Sequence, residues 1–205
     1  MPANRPAAAW MRVVERLLFA VAAVALIWYA GVRVGAAREQ AALSDELDRS
    51  RVALATGAHA AGAPRVTVSV PRSLIGRIEM PRVRLSALAR EGVDMRTLRG
   101  SAGHVPGTAM PGDAGNAAFA AHRDTFFGPL QGVRVGDAIT ITTPGGDFRY
   151  IVSGTRIVDP SEVSVLRSTA EPTLTLITCY PFDYIGSAPQ RFIVSARLAP
   201  SKPPV

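Results

Sequence analysis

The chain has 205 residues, which leaves room for one compact domain of roughly 130 residues beside an N-terminal anchor. Its formal net charge of +7 comes almost wholly from arginines scattered among acidic residues, whereas nucleic-acid binders concentrate basic residues with interleaved aromatics, so we expect no nucleic-acid partner. Cys179 is the single cysteine, which excludes an internal disulfide and a zinc site of several thiolates.

An apolar run near the N-terminus predicts a membrane anchor in contact with lipid. Residues 17–37 carry no charge except Arg33, whose long side chain can reach the headgroups, and about 21 helical residues suffice to span a bilayer core. Arginines flank the run on both sides and give little preference for either orientation, but the shortness of residues 1–16 favours a cytoplasmic N-terminal tail. A cleaved signal peptide is the alternative, because a basic segment precedes the run and small residues follow it near Gly35. Both interpretations place the rest of the chain outside the cytoplasm.

Residues 38–65 predict a helical stalk followed by a flexible linker. Charged residues there surround a thin apolar stripe that includes Leu43 and Leu47, a pattern compatible with a helix. From Thr56 to Pro64 the chain loses all charge and gains glycine and proline, a composition typical of linkers. We therefore expect the folded domain over residues 66–200.

Beyond Pro71, short runs of β-favouring residues are separated by glycine, proline and aspartate, with no long amphipathic helix between them. This pattern favours a mostly antiparallel β-barrel or sandwich. The motif TPGGD at Thr143–Asp147 predicts a hairpin turn. The predicted strands are Leu74–Met80, Ala117–Ala121, Ala138–Thr142, Phe148–Val158, Leu174–Thr178 and Arg191–Leu198.

Three side chains capable of chemistry are predicted at strand ends. The residues before Cys179, TLTLIT, alternate polar and apolar, so we expect one face of that strand to be buried and the other to face solvent or a groove. Pro181 lacks the N–H that a continuing strand needs, so the strand ends where the Cys179 thiol is presented. His122 follows the apolar strand NAAFAA, and Arg191 opens the last strand.

These three side chains are sufficient for acyl transfer. A cysteine attacks a carbonyl as its thiolate, and a nearby cation or base raises the thiolate fraction. His122 can exchange a proton with the thiol and donate one to a departing amine, while Arg191 can hold the oxygen that becomes negative. The alternative interpretation makes Cys179 a small buried hydrophobe, as free cysteines often are. Spacing alone does not show that the three residues meet.

Three segments resemble the sortases, most closely those of class D: GHVPGTAMPGDAGNAAFAAHRDTFF, then TLTLITCYPF, then APQRFIVSARL. The resemblance extends over residues 75–198. It implies a closed eight-stranded β-barrel of the sortase type, preceded by the transmembrane helix and stalk. It also implies a catalytic site formed by His122, Cys179 and Arg191.

The resemblance further implies a cysteine transpeptidase that acts on secreted proteins with a C-terminal sorting signal. Cys179 would attack the threonine carbonyl of a motif similar to Leu-Pro-any-Thr-Gly and form a thioester. His122 would protonate the leaving glycine, and Arg191 would stabilise the oxyanion. The acceptor would be an amine from peptidoglycan or from a pilin-like protein, or water in a hydrolase.

The matched region holds three candidates for supporting roles. His104 would border the groove, where it would act in catalysis, contact the substrate or hold a loop. Asp124 would orient His122 or cap a loop, and Thr178 directly precedes Cys179.

Some sortases respond to calcium through acids near the strand after the hairpin, where this chain has Asp159 and Glu162. Two acids are too few for an oxygen cage. We therefore expect no metal and no cofactor.

Two further alternatives are another type of cysteine transpeptidase and a protein that is not an enzyme. Peptidoglycan transpeptidases with a cysteine nucleophile resemble Ser-His-Gly-Cys at that position, but Ile177 and Thr178 precede Cys179 here. A membrane-tethered binding domain without turnover would be supported by the loss of any member of the trio, and all three are present.

Overall fold

The computed structural model describes residues 5–57 and 74–200. The chain divides into two compact units, residues 1–39 and residues 40–205. The predicted linker lies outside the described residues beyond Gly57, as does the predicted start of the folded domain at residue 66.

The first unit is helical. Helix α1 spans Arg5–Gly57 and so includes residues of both units. Its stretch Trp10–Gly31 has 22 residues with a mean hydropathy of 1.9 and exposed side chains. At 1.5 Å per residue such a stretch measures about 33 Å, enough to cross a bilayer core of about 30 Å. An apolar helix is therefore present near the N-terminus, somewhat earlier than the predicted residues 17–37. A signal sequence has the same properties, so that alternative stays open.

The second unit is built on a closed β-barrel of eight strands within the described residues. The strands are β1 (Leu74–Met80), β2 (Leu85–Glu91), β3 (Ala102–His104), β4 (Asn116–Ala120), β5 (Ala138–Thr143), β6 (Gly146–Val158), β7 (Thr173–Tyr180) and β8 (Gln190–Leu198). They follow one another around the barrel in the order β1, β2, β3, β4, β7, β8, β6, β5. The pairs β2–β3 and β4–β7 are parallel and the other six are antiparallel. The predicted closed eight-stranded barrel is confirmed.

All six predicted strands are present, with ends that differ by at most two residues, and the hairpin at Thr143–Asp147 joins β5 to β6. Two strands were not predicted, β2 and β3. Between them lies the short helix α2 (Met95–Gly100), which Asp94 caps by accepting hydrogen bonds from two backbone N–H groups. The described part of the unit also contains three short 3-10 helices, at Pro81–Val83, Gly128–Gly132 and Val163–Leu166.

The barrel interior is a tightly packed apolar core. Its largest members are fully buried and come from nearly every part of the barrel. They include Ile78, Met80, Phe119, Phe127, Leu130, Ile139, Ile141, Tyr150, Leu174 and Leu176. The interior is therefore filled by side chains, so a substrate has to bind at the rim or on the outer face.

The predicted exposure of one face of β7 is wrong for Thr175, while Thr173, Ile177 and Cys179 on the same face are partly exposed. Thr175 and Thr178 point to opposite faces, yet only 5% and 2% of their surface is exposed. The Thr175 hydroxyl donates to Asn116 Oδ1 at 2.8 Å, and the Thr178 hydroxyl donates to the Ala121 carbonyl at 2.8 Å. Both hydroxyls can be buried because each has a hydrogen-bond partner. The alternation thus predicts the direction of the side chains and the buried face correctly, but not the burial of Thr175 on the other face.

The last turns of α1 belong to the second unit and pack on the barrel. Leu43 and Leu47 form a buried cluster with Leu74 of β1 and Leu88 of β2. The Gln40 side chain accepts a hydrogen bond from the backbone N–H of Leu88 at 2.9 Å. The apolar stripe predicted for the stalk therefore contacts β1 and β2.

Replacement of Leu47 by alanine is expected to destabilise the second unit by about 2–5 kcal/mol, because a fully buried leucine leaves a cavity that its surroundings fill only in part. The measurement is denaturant unfolding of the whole chain in detergent. Asp48→Ala, at an exposed position of the same helix, is the control and should change stability by no more than about 0.5 kcal/mol. Equal unfolding midpoints for the two variants would show that this helical segment does not fold with the barrel.

Candidate active site

Cys179 is the penultimate residue of β7, which ends at Tyr180 directly before Pro181. Its side chain lies on the face of β7 opposite to that of the core residues Leu174 and Leu176. It is partly exposed and lines a cavity of about 350 Å³. The interpretation of Cys179 as a small buried hydrophobe is therefore wrong, because its thiol faces a cavity.

The parallel pairing of β4 and β7 brings His122 to this cavity. Ala120, the last residue of β4, is the register partner of Ile177, and the Ala121 N–H donates to the Ile177 carbonyl at 3.2 Å. Parallel strands run in the same direction and end at the same edge of a sheet. Cys179 lies two residues after Ile177, so it lies level with the residue two positions after Ala120. His122 occupies that position and lines the same cavity.

The antiparallel pairing of β7 and β8 places Arg191 beside Cys179 in the same cavity. Arg191 is the register partner of Cys179, and directly opposite residues have Cβ atoms about 4.5–5.5 Å apart on the same face. Arg191 Nη1 donates to the carbonyls of Ala188 and Gln190, at 3.2 and 2.9 Å. Its Nε and Nη2 have no acceptor among the described residues, so these donors are free to bind an anionic oxygen.

The predicted trio thus meets at one edge of the barrel. The cavity is lined by His122, Arg123, Asp124, Cys179, Gly186, Ser187, Ala188 and Arg191. A thiol, an imidazole and a guanidinium are side chains that can serve as the nucleophile, the proton carrier and the cation in acyl transfer. Each is positioned by backbone pairing of β4, β7 and β8.

Two of the supporting candidates lie beside the cavity. Thr178 points into the barrel, and its hydrogen bond to the Ala121 carbonyl ties β7 to the residue before His122. Asp124 lines the cavity and is exposed. Asp124 and His122 line the same cavity, but within the described residues the Asp124 carboxylate makes no hydrogen bond to His122 that would orient the imidazole.

His104 lies elsewhere. It ends β3, is 2% exposed and does not line the cavity. Its Nδ1 lies 2.7 Å from Glu91 Oε2, and its Nε2 lies 2.9 Å from the Ala109 carbonyl and 3.1 Å from Thr108 Oγ1. These contacts join β2 to the loop after β3, so His104 holds that loop.

The two acids considered for calcium, Asp159 and Glu162, are engaged in local turns. Hydrogen bonds from the side chain and backbone of Ser161 lower the pKa of Asp159, and the nearby charge of Arg191 lowers it further. Hydrogen bonds from Ser164 lower the pKa of Glu162 in the same way. Among the residues that the structure describes, no group of three or more His, Cys, Asp and Glu side chains is placed to hold a metal ion.

Sequence reasoning missed Arg123. Its Nη1 donates to the Pro181 carbonyl at 2.9 Å, and its Nη2 donates to the carbonyls of Tyr184 and Gly186 at 2.6 and 3.0 Å. The only feature of the sequence that points to Arg123 is its position directly after His122. The three carbonyls to which it donates belong to residues about sixty positions away, so no local pattern predicts these hydrogen bonds.

Comparison with known proteins identifies the family. A sortase domain matches residues 78–199. Sortase D of Bacillus subtilis is 33% identical over 120 residues, covering 58% of this chain and 61% of that protein. Sortase A of Listeria monocytogenes is 32% identical over 130 residues, covering 62% of this chain and 57% of that protein. The matched region is therefore about three fifths of the length of these two relatives.

A solved structure agrees with this assignment. The sortase D5 transpeptidase of Clostridium perfringens is 31% identical, with a TM-score of 0.57, over 62% of this chain and 79% of that chain. The matching domain covers more than half of the present sequence and includes β4, β7 and β8, which carry the cavity. On this evidence the chain belongs to the sortase family, whose members are cysteine transpeptidases.

Proposed function

We propose that this chain is a membrane-anchored cysteine transpeptidase that joins secreted proteins to an amine outside the cytoplasm. The observation that carries the proposal is that Cys179, His122 and Arg191 line one cavity in a chain of the sortase family. The apolar stretch Trp10–Gly31 serves as a single-pass anchor with the N-terminus inside.

The first half-reaction forms a thioester. The Cys179 sulfur, with its proton transferred to His122, attacks the threonine carbonyl carbon of a Leu-Pro-any-Thr-Gly-like motif. The carbonyl oxygen becomes negative and accepts hydrogen bonds from the free Nε and Nη2 donors of Arg191. The C–N bond to glycine then breaks as His122 returns its proton to the departing amine, and the carbonyl re-forms as a thioester.

The second half-reaction regenerates the thiol. An acceptor amine attacks the thioester carbon and passes a proton to His122, and the C–S bond breaks as the new amide forms. The sulfur leaves as a thiolate and takes that proton from His122, so Cys179 and His122 both end as they began. The amine comes from a peptidoglycan cross-bridge or from a pilin-like protein. Water attacking the same carbon gives hydrolysis.

The test is a product assay on the whole chain in detergent, with a panel of sorting-type peptides and a free amine. We expect an amide product that joins the acyl part of the peptide to the amine and that disappears in Cys179→Ala. A product with a free carboxylate only would make the enzyme a hydrolase. No cleavage of any peptide would contradict turnover and support a tethered binding domain.

A further inference from the structure

The segment between β7 and β8, residues 181–189, forms one wall of the cavity and has few restraints of its own. Within the described residues this β7–β8 loop has a turn at Phe182 and Asp183, and no backbone-to-backbone hydrogen bond joins the loop to another segment. Tyr184 and Ile185 at its tip are 48% and 96% exposed, so burial of apolar surface holds the tip only weakly. Phe182 packs on Phe192 at the base, with ring centroids 5.3 Å apart.

Among the described residues, two arginines donate side-chain hydrogen bonds to this loop. Arg191 reaches the Ala188 carbonyl near the end of the loop. Arg123 reaches the carbonyls of Pro181, Tyr184 and Gly186, and its guanidinium carbon lies 5.9 Å from the centroid of the Tyr184 ring. One side chain therefore holds most of the loop through three charge-assisted hydrogen bonds and a cation–π contact.

The position of Arg123 links this restraint to the reaction. Arg123 is covalently next to His122, and the loop that it holds supplies Gly186, Ser187 and Ala188 to the cavity. The two walls of the cavity are thus connected through one guanidinium. If the connection is removed, the loop samples other conformations, and substrate binding has to order it again.

We propose that Arg123 is a positioning residue that fixes the β7–β8 loop against the segment carrying His122 and so preorganises the substrate cavity. This inference rests on the proposed function for its kinetic consequence only. A planar fork with two nitrogens is needed to reach three separate carbonyls, and the single nitrogen of lysine cannot reproduce it.

The test compares Arg123→Ala and Arg123→Lys with Arg96→Ala, an exposed arginine of α2 that lies outside the cavity. In the whole chain in detergent, chymotrypsin cleavage after Tyr184, identified by fragment mass, reports opening of the loop without any need for activity. Both Arg123 variants are expected to be cleaved about tenfold faster than the parent. We also expect KM for the sorting peptide to rise about tenfold while kcat changes by less than about threefold, with Arg96→Ala unchanged in all respects.

Three outcomes would overturn the inference. Cleavage after Tyr184 at the parent's rate in both variants would show that Arg123 does not hold the loop. A rise in KM without faster cleavage would make Arg123 a direct substrate contact. Full recovery of cleavage resistance and KM by lysine would show that charge alone suffices. If Arg123→Ala fails to fold, Arg123→Lys alone decides among these outcomes, and an inactive parent would refute the proposed function while leaving the cleavage result intact.

Discussion

His122→Gln is expected to lower kcat/KM for transfer by about a thousandfold, within the range that general acid–base catalysis contributes. Glutamine keeps the polarity and approximate size of the side chain but neither accepts the thiol proton nor donates one to the leaving amine. The fall should appear in kcat, because the imidazole exchanges its proton only as bonds form and break. The measurement is steady-state kinetics with the best peptide of the panel.

His104→Gln is the matched control for this prediction. His104 is buried outside the cavity, and its imidazole is hydrogen-bonded to the Glu91 carboxylate and the Ala109 carbonyl. Its replacement should lower stability by about 1–3 kcal/mol, because buried polar groups lose their partners. The activity per folded molecule should stay within about threefold of the parent. Equal losses of kcat in the two histidine variants would refute the assignment of the proton carrier to His122.

Arg191→Lys is expected to lower kcat by about a hundredfold, the lower end of what loss of one oxyanion donor costs. Lysine keeps the positive charge but places a single nitrogen where Arg191 offers Nε and Nη2. Alkylation of Cys179 by iodoacetamide involves no oxyanion, so its rate should change by less than about threefold. The comparison of turnover with alkylation therefore separates stabilisation of the oxyanion from activation of the thiol.

Arg197→Lys provides the control for that comparison. Arg197 lies on the same strand, β8, pairs with Thr173 at the far end of β7 and does not line the cavity. Turnover and alkylation should both match the parent. If Arg191→Lys slowed alkylation and turnover by the same factor, Arg191 would act on the thiolate rather than on the oxyanion.

Much of the barrel could be predicted because its longer strands carry strong local signals. β6 and β8 are rich in β-branched and aromatic residues, and the hairpin before β6 has the expected glycines. β2 was missed because LSALARE alternates weakly and contains residues that also favour helices. β3 has only three residues, too few for any periodicity to appear.

The candidate site could be predicted only in part. Placing Cys179, His122 and Arg191 at strand ends needed local patterns alone, but their meeting depends on the parallel pairing of β4 with β7 and the register of β7 with β8. The β4–β7 pairing joins residues more than fifty positions apart in the sequence, and no local pattern encodes either pairing. The resemblance to the sortases, not the spacing of the residues, predicted that these three side chains form one site.

The contacts of Arg123 and His104 show a second limit. Both residues lie in the first of the segments that resemble sortases. No local sequence pattern shows that His122 lines the cavity whereas His104 is buried. The difference depends on which carbonyls and carboxylates the closed barrel brings near each side chain. Tertiary structure determines those partners, so their roles emerge only once the barrel is closed.

The most direct test of the central claim is the intact mass of the whole chain after brief reaction with a sorting-type peptide in the absence of an acceptor amine. The account predicts an adduct equal in mass to the acyl part of the peptide, attached at Cys179, released by hydroxylamine and absent from Cys179→Ala. An adduct on another residue, or turnover of the peptide by Cys179→Ala, would contradict the assignment of Cys179 as the nucleophile.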